Sequence, residues 1–215
     1  MALTYATYVT TLANMLAMDS ADADFTTVLP SIIDYAEDRI YREHNFLSTV
    51  ARDSSSTLTA NSRNFTLPTA SGRFTSVDAI NVMVSSVRVP LTPVSRDVLD
   101  MLFPSETSVA STPSMFAMVD DATILVGSAP SSGLTVEVVG RRRPTALSAS
   151  NMTTTLSTYL PDLFLAASMV FASGWQKNFG GQSDDPKMSQ SWESQYQTLS
   201  KSASMDELRK TIKAA

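Results

Sequence analysis

Two amphipathic helices are predicted at the start of the chain, because apolar residues recur there at three- and four-residue steps. The first covers residues 4–18, with Thr4 near its N-cap. The second lies within residues 25–44, with Pro30 in its first turn, where the missing N–H needs no partner. The second helix has a predicted buried stripe of Leu29, Ile33, Ala36 and Ile40, and a predicted polar face of Asp34, Glu37, Asp38, Arg39, Arg42 and Glu43.

The helical period disappears after His44 and is replaced by short runs of β-branched and aromatic residues. Turn residues separate these predicted strands, which lie at 47–52, 57–59, 64–67, 74–84, 87–91, 115–119, 123–126 and 134–139. Asp120-Asp121 predicts a hairpin between two of the runs. A short helix is predicted at 95–103, with Ser95 as its N-cap.

Helical patterns return after a polar linker at residues 146–157. The helix predicted at 158–179 has Pro161 in its first turn and Gly180 just beyond its end. It is apolar around most of its circumference, which is typical of a central buried helix. Another helix is predicted to start at 184–186. The final residues have apolar side chains at helical spacing, but they are too few and too polar to form a stable helix alone.

These patterns predict an α+β protein, which is mainly a bundle of four helices with an inserted small antiparallel β section. Residues 1–45 and 146–203 are assigned to the bundle, 46–145 to the β-rich domain and 204–215 to a C-terminal tail.

The charge of the chain is unevenly distributed. The 215 residues carry a net charge of −5, and residues 1–45 account for all of it, with seven acidic residues and two arginines. Such a surface argues against broad affinity for nucleic acids, which requires net positive charge.

No apolar run approaches the roughly 20 residues of a membrane span. The N-terminus lacks the features of a signal peptide, so we expect synthesis in the cytoplasm.

The sequence contains no constellation of catalytic or metal-binding residues. There is no cysteine, and the single histidine, His44, ends a predicted helix, where capping or a core hydrogen bond accounts for it. Nucleotide-binding glycine motifs are absent. The acidic residues of 19–24 lack the glycine and glutamate of an EF-hand loop and are explained by helix capping. We therefore predict a structural or binding protein rather than an enzyme, with no cofactor and no metal.

Arg141, Arg142 and Arg143 close the β section and allow two interpretations. Three arginines can bind phosphate or the carboxylates of a partner. Alternate residues of a strand point to opposite faces, however, so the three need not form one patch and can serve structural ion pairs. Residues 46–143 contain no lysine, and arginine is the cation favoured within protein interfaces.

Two stretches resemble a known family. The first contains Tyr8-Val9 and Leu12, followed by the pattern from Phe25 to Glu43 with Leu29-Pro30, Ile32-Ile33 and Ala36-Glu37. The second contains Arg143-Pro144-x2-Leu147, then 159–164 (YLPDLF) and a tryptophan-containing C-terminal helix. Together they resemble the head-to-tail adaptor, or connector, proteins of tailed bacteriophages, with similarity to the podovirus tail tubular protein A.

The resemblance implies a structural virion protein of the neck or tail. Adaptors of this kind form a ring, typically of about twelve copies, between the capsid portal and the tail. Genomic DNA passes through the channel of the ring without specific binding. The helical bundle packs side by side around the ring, the β section meets the downstream tail or nozzle protein, and the C-terminal segment docks onto the portal. The implied portal-binding residues are Leu208, Arg209, Lys210, Ile212 and Lys213.

The polar face of the second helix is the candidate for the contact between subunits, through Glu37, Arg39, Arg42 and Glu43. A further hypothesis places Asp34, Glu37 and Asp38 at the lumen, where negative charge would repel DNA phosphate. The alternative function is that of another tail-completion or neck protein without direct portal contact.

Overall fold

The structure, a computed structural model, describes residues 2–104, 111–176 and 186–214. The chain divides into two compact units. The helical unit consists of Met1–Ser48 and Thr145–Ala215, and the β unit consists of Thr49–Pro144.

The described part of the helical unit contains five α-helices: α1 (Tyr5–Met15), α2 (Ala23–Glu43), α4 (Thr155–Tyr159), α5 (Pro161–Gln176) and α6 (Pro186–Ala214). Thr4 caps α1, since its hydroxyl accepts the N–H of Thr7. Asp22 caps α2 by accepting the N–H groups of Asp24 and Phe25. The helix therefore begins before Pro30, which lies inside α2 rather than in its first turn as predicted.

The helix predicted at 158–179 is two helices. Leu160 separates α4 from α5 and has a non-helical backbone, with φ −133° and ψ 47°. A residue that precedes proline is disfavoured in the helical region, so Pro161 ends one helix as it starts the next. Residues 177–181, where the end of this helix is predicted, lie outside the described residues.

Helix α5 is the centre of the helical core, as predicted. Its side chains at 163, 164, 166, 167, 169 and 172 are buried, and the helix packs against α1, α2, α4 and α6. The Tyr8 ring of α1 stacks on Phe164 with 4.8 Å between the centroids, and its hydroxyl donates to Ser168 at 2.7 Å. The predicted stripe of α2 is confirmed, because Leu29, Ile33, Ala36 and Ile40 all belong to this core.

The β unit contains eight strands and one helix among its described residues. The helix, α3 (Arg96–Leu102), is capped by Ser95 as predicted. The strands are β1 (Val50–Leu58), β2 (Asn64–Thr66), β3 (Gly72–Val84), β4 (Val87–Pro90), β5 (Thr92–Pro93), β6 (Met115–Met118), β7 (Thr123–Val126) and β8 (Leu134–Pro144). The predicted hairpin at Asp120-Asp121 is confirmed, since it joins antiparallel β6 and β7.

Two four-stranded sheets enclose the core of the β unit. Sheet A has the order β1-β8-β3-β4, and sheet B has the order β2-β7-β6-β5. Sheet A contributes Ile80, Val82, Val136 and Val138 to this core, and sheet B contributes Phe65, Phe116, Ile124 and Val126. Each sheet therefore has one face on the shared core and one face turned away from it.

The predicted fold class is wrong. The described residues form six helices and two sheets of four strands each, not a four-helix bundle with a small β insertion. The eight strands form two sheets that share one core, which is a two-sheet sandwich rather than a small insertion. The number of helices was wrong because Pro161 splits one predicted helix. The number of sheets was wrong because the pattern of a single strand does not show which other strands it pairs with.

Candidate assembly surfaces

Helices α2 and α6 are joined by a polar cluster of Arg39, Glu43, Glu193 and Tyr196, here called the α2–α6 cluster. The guanidinium of Arg39 donates to both carboxylate oxygens of Glu193, at 2.6 and 2.7 Å. It also donates to Glu43 at 3.1 Å and lies over the Tyr196 ring, 4.0 Å from the centroid. The buried Tyr196 hydroxyl donates to Glu43 at 2.6 Å. One arginine thus binds two carboxylates and an aromatic ring.

The electrostatics of the cluster favour its charged form. Hydrogen bonding to Glu193 raises the pKa of Arg39 above its ordinary value, and the same bond lowers the pKa of Glu193. Burial and the hydrogen bond to Glu43 raise the pKa of the Tyr196 phenol. Arg39 and Glu193 therefore stay charged near neutral pH, and their hydrogen bonds fix α6 against α2.

Two of the residues predicted at the contact between subunits, Arg39 and Glu43, belong to this cluster. The side chain of Arg39 is only 15% exposed, and Glu43 is 38% exposed. Sequence reasoning missed Glu193 and Tyr196 as the partners, since they lie more than 150 positions away along the chain. A charge reversal at Arg39 would consequently disturb the fold as well as any surface.

Glu37 is not on the polar face of α2 where it was predicted. Glu37 is only 1% exposed, and its Oε1 accepts the N–H of Leu147 at 3.1 Å. The carboxylate thus ties α2 to the segment that precedes α4. A carboxylate in this position lies neither on the outer surface of the folded unit nor at a lumen, so we correct its predicted place in both.

Arg42 remains on the surface of α2, as predicted. Its Nε donates to the backbone carbonyl of Asp38 at 3.2 Å. Asp38 is partly exposed, and Asp34, one helical turn before Asp38, is exposed. The outer surface of α2 is therefore defined here as Asp34, Asp38, Arg42 and Glu43, and its net charge is negative.

His44 forms a second contact between α2 and α6. Its ring is stacked on Phe46, with 5.1 Å between the centroids. The ring nitrogens lie 2.9 Å from the Ser200 hydroxyl and 3.1 Å from the Ser204 hydroxyl. One turn further along α6, Glu207 accepts the N–H of Leu47 at 3.0 Å. The predicted core hydrogen bonding of His44 is confirmed.

We expect the helical unit to lose stability as the pH falls below about 6.5, and to lose less of it in the variant His44→Gln. Burial lowers the pKa of His44 from its ordinary 6.5, although Glu43 and Glu207 partly oppose this. The unfolded chain therefore takes up the proton first, and the stability present at higher pH is lost as the pH falls through the folded pKa.

Urea unfolding between about pH 7.5 and 5.5 measures this dependence. The carboxylates of Glu193 and Glu207 have pKa values below their ordinary 4.5, so they do not titrate in this range. Equal slopes for the wild type and His44→Gln would refute the prediction.

The C-terminal part of α6 has an inner side and an outer side. Ala203 is buried, and Glu207, on the inner side, binds Leu47 and the ammonium of Lys210. Met205 and Leu208 are 63% and 62% exposed. Arg209 is also exposed and pairs with Asp206 at 3.0 Å.

The other two predicted portal-binding residues, Ile212 and Lys213, fall within α6, but their side chains lie outside the described part of the structure. Of the five predicted residues, Leu208 is thus an exposed apolar side chain, and the two described cations already have partners on the same helix.

The three consecutive arginines of β8 do not form one patch by themselves. Arg142 lies opposite Phe74 and pairs with Asp53 at 3.2 Å. Arg141 and Arg143 belong to the other face of the strand. Of the two interpretations, the structural ion pair is therefore correct for Arg142.

Glu137, four residues before Arg141, is buried on the face of sheet A that is turned away from the core. It accepts two hydrogen bonds from Arg88, at 2.7 and 2.9 Å, and one from Asn81 at 2.9 Å. Arg52 lies 3.7 Å away. The bond to Arg88 lowers the pKa of Glu137, so the carboxyl is ionised at neutral pH.

Two of the acidic residues of 19–24 bind backbone N–H groups. Asp22 caps α2, and Asp19 accepts the N–H of Ala21 at 2.9 Å. Within the described ranges, no group of three histidine, aspartate or glutamate side chains could hold a metal ion. Among the residues that the structure describes, no helix is long and apolar enough to cross a membrane.

Comparison with known proteins gives one family. The model of the SU10 adaptor protein family matches residues 3–213, which is nearly the whole chain. No curated protein matches the chain.

Proposed function

Because the chain belongs to the SU10 adaptor protein family and is thereby a bacteriophage adaptor and virion component, we propose that it forms the ring between the capsid portal and the tail. The family match confirms the predicted resemblance to phage adaptors. The likeness to the podovirus tail tubular protein A in particular stays a prediction. The observation that carries the proposal is the match across both units of the chain rather than across one of them.

The proposed ring has about twelve copies and leaves a channel for DNA. Head-to-tail packing repeats one contact between two different surfaces and closes when the rotation per copy fits the ring. The closed ring supplies buried area to a chain without cysteines. This is a structural role, and the match to an adaptor family supports a protein that is not an enzyme.

The proposed portal contact is the outer side of α6 at Met205 and Leu208. Two large apolar side chains one turn apart are exposed there, while the inner side of the same turn contacts the helical unit. Such a pair fits a groove of a partner protein. The charges of Arg209 and Lys210 flank the pair and would lie at the rim of the contact.

The proposed contact between subunits uses the outer surface of α2, at Asp34, Asp38, Arg42 and Glu43. Glu37 takes no part because it is buried, and Arg39 supports the surface from behind through the α2–α6 cluster. The hypothesis of an acidic lumen is left with Asp34 and Asp38, and it competes with this subunit contact, because carboxylates that are bound by a neighbouring copy do not face the channel. A complex in which both carboxylates lie far from the channel would refute it.

The proposed contact with the downstream tail or nozzle protein is an apolar surface of the β unit. Helix α3 exposes Met101 at 73%, Leu102 at 50% and Val98 at 39%. An exposed apolar group of this kind is typical of a protein-binding surface.

Mixing the protein with the portal protein of the same phage tests the proposal. We expect native mass spectrometry to show portal rings that carry about twelve added copies, with no intermediate number dominating at saturation. The free protein alone can remain monomeric, since the portal can act as a template. A protein that adds no mass to the portal but binds purified tails would instead be a neck or tail-completion protein without portal contact.

A further inference from the structure

The two sheets of the β unit differ sharply in charge. The four strands of sheet A contain six arginines and three acidic residues, whereas the four strands of sheet B contain no charged residue. The charge of the β unit is therefore concentrated on one sheet. The chain contains no lysine between residues 46 and 143, so every cation of these strands is an arginine.

The strand register brings five of the six arginines to one face. Val136 and Val138 of β8 point into the core, so the alternate residues Glu137, Arg141 and Arg143 belong to the opposite face. Directly opposite partners share a face. Arg73 is paired with Arg143, Arg52 with Val139, and Arg88 with Met83, which is itself paired with Thr135. We call this the arginine face; it consists of Arg52, Arg73, Arg88, Arg141 and Arg143.

The formal charge of the face is positive, because its five arginines outnumber the three acidic residues of the sheet A strands. Glu137 is shared between Arg88 and Arg52, so one carboxylate serves two guanidinium groups. Arg73 pairs with Asp121, but both side chains are mostly exposed, at 66% and 87%, so water and salt screen the pair. The side chains of Arg52 and Arg88 are 58% and 47% exposed. Arginines on one face of a sheet, two of them bound to one buried carboxylate, are suited to bind further carboxylates in bidentate geometry.

We propose that the arginine face is the second half of the contact between subunits and binds the outer surface of α2 of a second copy of this chain. The inference rests on the proposed ring, in which each copy must offer two different and complementary surfaces. The chain supplies the complementary charge itself, because residues 1–45 carry a net charge of −5. Asp34 and Asp38 are the carboxylates of the α2 surface that lie outside the α2–α6 cluster.

The charge distribution favours this occupant over DNA, the other polyanion that an arginine face could bind. A DNA-binding surface depends on net positive charge, and the chain as a whole is acidic. Attraction between opposite charges would also set the direction of packing, since two arginine faces or two α2 surfaces repel each other. Association should therefore weaken as salt is added.

A charge-swap experiment tests the contact. The face variant is Arg52→Glu with Arg73→Glu, which leaves Arg88 bound to the buried Glu137. The helix variant is Asp34→Lys with Asp38→Lys. Sedimentation velocity at high protein concentration measures association without the portal, and native mass spectrometry counts the copies on the portal. Arg96→Glu is the control, because Arg96 is 60% exposed on α3 and lies outside the arginine face.

We expect each variant alone to associate at least about 100-fold more weakly than the wild type, or about 2.7 kcal/mol, because like charges then meet in the contact. An equimolar mixture of the two variants should recover association, since the acidic sheet of one then meets the basic helix of the other. Arg96→Glu should behave as the wild type does.

Two results would overturn the inference. One is a face variant that associates as well as the wild type; the other is a mixture no better than its components. A face variant that keeps its association but loses binding to a short DNA duplex would assign the arginine face to DNA instead. Recovery in the mixture without any binding to the portal would keep the contact and reject the proposed ring position. A wild type that joins no second copy, free or on the portal, would reject both.

Discussion

Replacing Met205 and Leu208 by aspartate is expected to abolish binding to the portal while the fold stays intact. Both side chains are mostly exposed in the free chain, so the double variant should change the free energy of unfolding by less than about 0.5 kcal/mol per site. At the portal, two carboxylates would have to be desolvated where apolar side chains were bound. That cost is several kcal/mol and corresponds to a loss of affinity of at least about 100-fold.

The matched control is Met152→Asp. Met152 is an exposed methionine of the same unit, at 56%, and it lies outside the proposed portal contact. Deleting the C-terminal residues from 202 onward is a poorer test, because Ala203 is buried and Glu207 binds Leu47. Equal affinity of the wild type and the double aspartate variant, measured by biolayer interferometry on immobilised portal, would show that the portal contact lies elsewhere.

Tyr196→Ala is expected to cost about 3–5 kcal/mol of stability, the range for removal of a large buried aromatic side chain. Tyr196 is fully buried on the inner side of α6. Its ring supports the Arg39 guanidinium, and its hydroxyl binds Glu43. Removing the side chain thus leaves a cavity and takes one partner from each of the two charged residues. Urea denaturation followed by circular dichroism measures the loss.

Tyr196→Phe separates the two contributions. It keeps the ring under Arg39 and removes the hydroxyl, so we expect it to cost about 1.5–3 kcal/mol, as for a hydrogen bond to a charged group, and less than Tyr196→Ala. If the alanine variant loses no more stability than the phenylalanine variant, the packing of Tyr196 does not hold α6 to α2, and the account of the α2–α6 cluster is wrong.

The sequence shows the local features of this fold and not its long-range pairs. The buried stripe of α2, the cap of α1 at Thr4, the short helix after Ser95 and the hairpin at Asp120-Asp121 each depend on residues within a few positions, so their patterns are visible in a single sequence. The partner of Arg39 is Glu193, 154 positions away. No local period relates two such positions.

Two features that were predicted wrongly have a local signal in the sequence. Glu37 lies four residues after Ile33 and three before Ile40, which places it beside the buried stripe of α2 rather than on the polar face. Leu160 precedes Pro161, and a residue before proline is disfavoured in a helix. The arginine face, by contrast, could not be found from the sequence, because it depends on the register of four strands from distant parts of the chain.

A cryo-electron microscopy reconstruction of the protein bound to its portal would show the proposed ring and its contacts together. We expect a closed ring of about twelve copies in which the ends of the α6 helices, at Met205 and Leu208, lie against the portal. Each α2 surface should face the arginine face of the next copy. A portal without added density, or an adaptor bound to it only through the β unit, would contradict the proposed ring position.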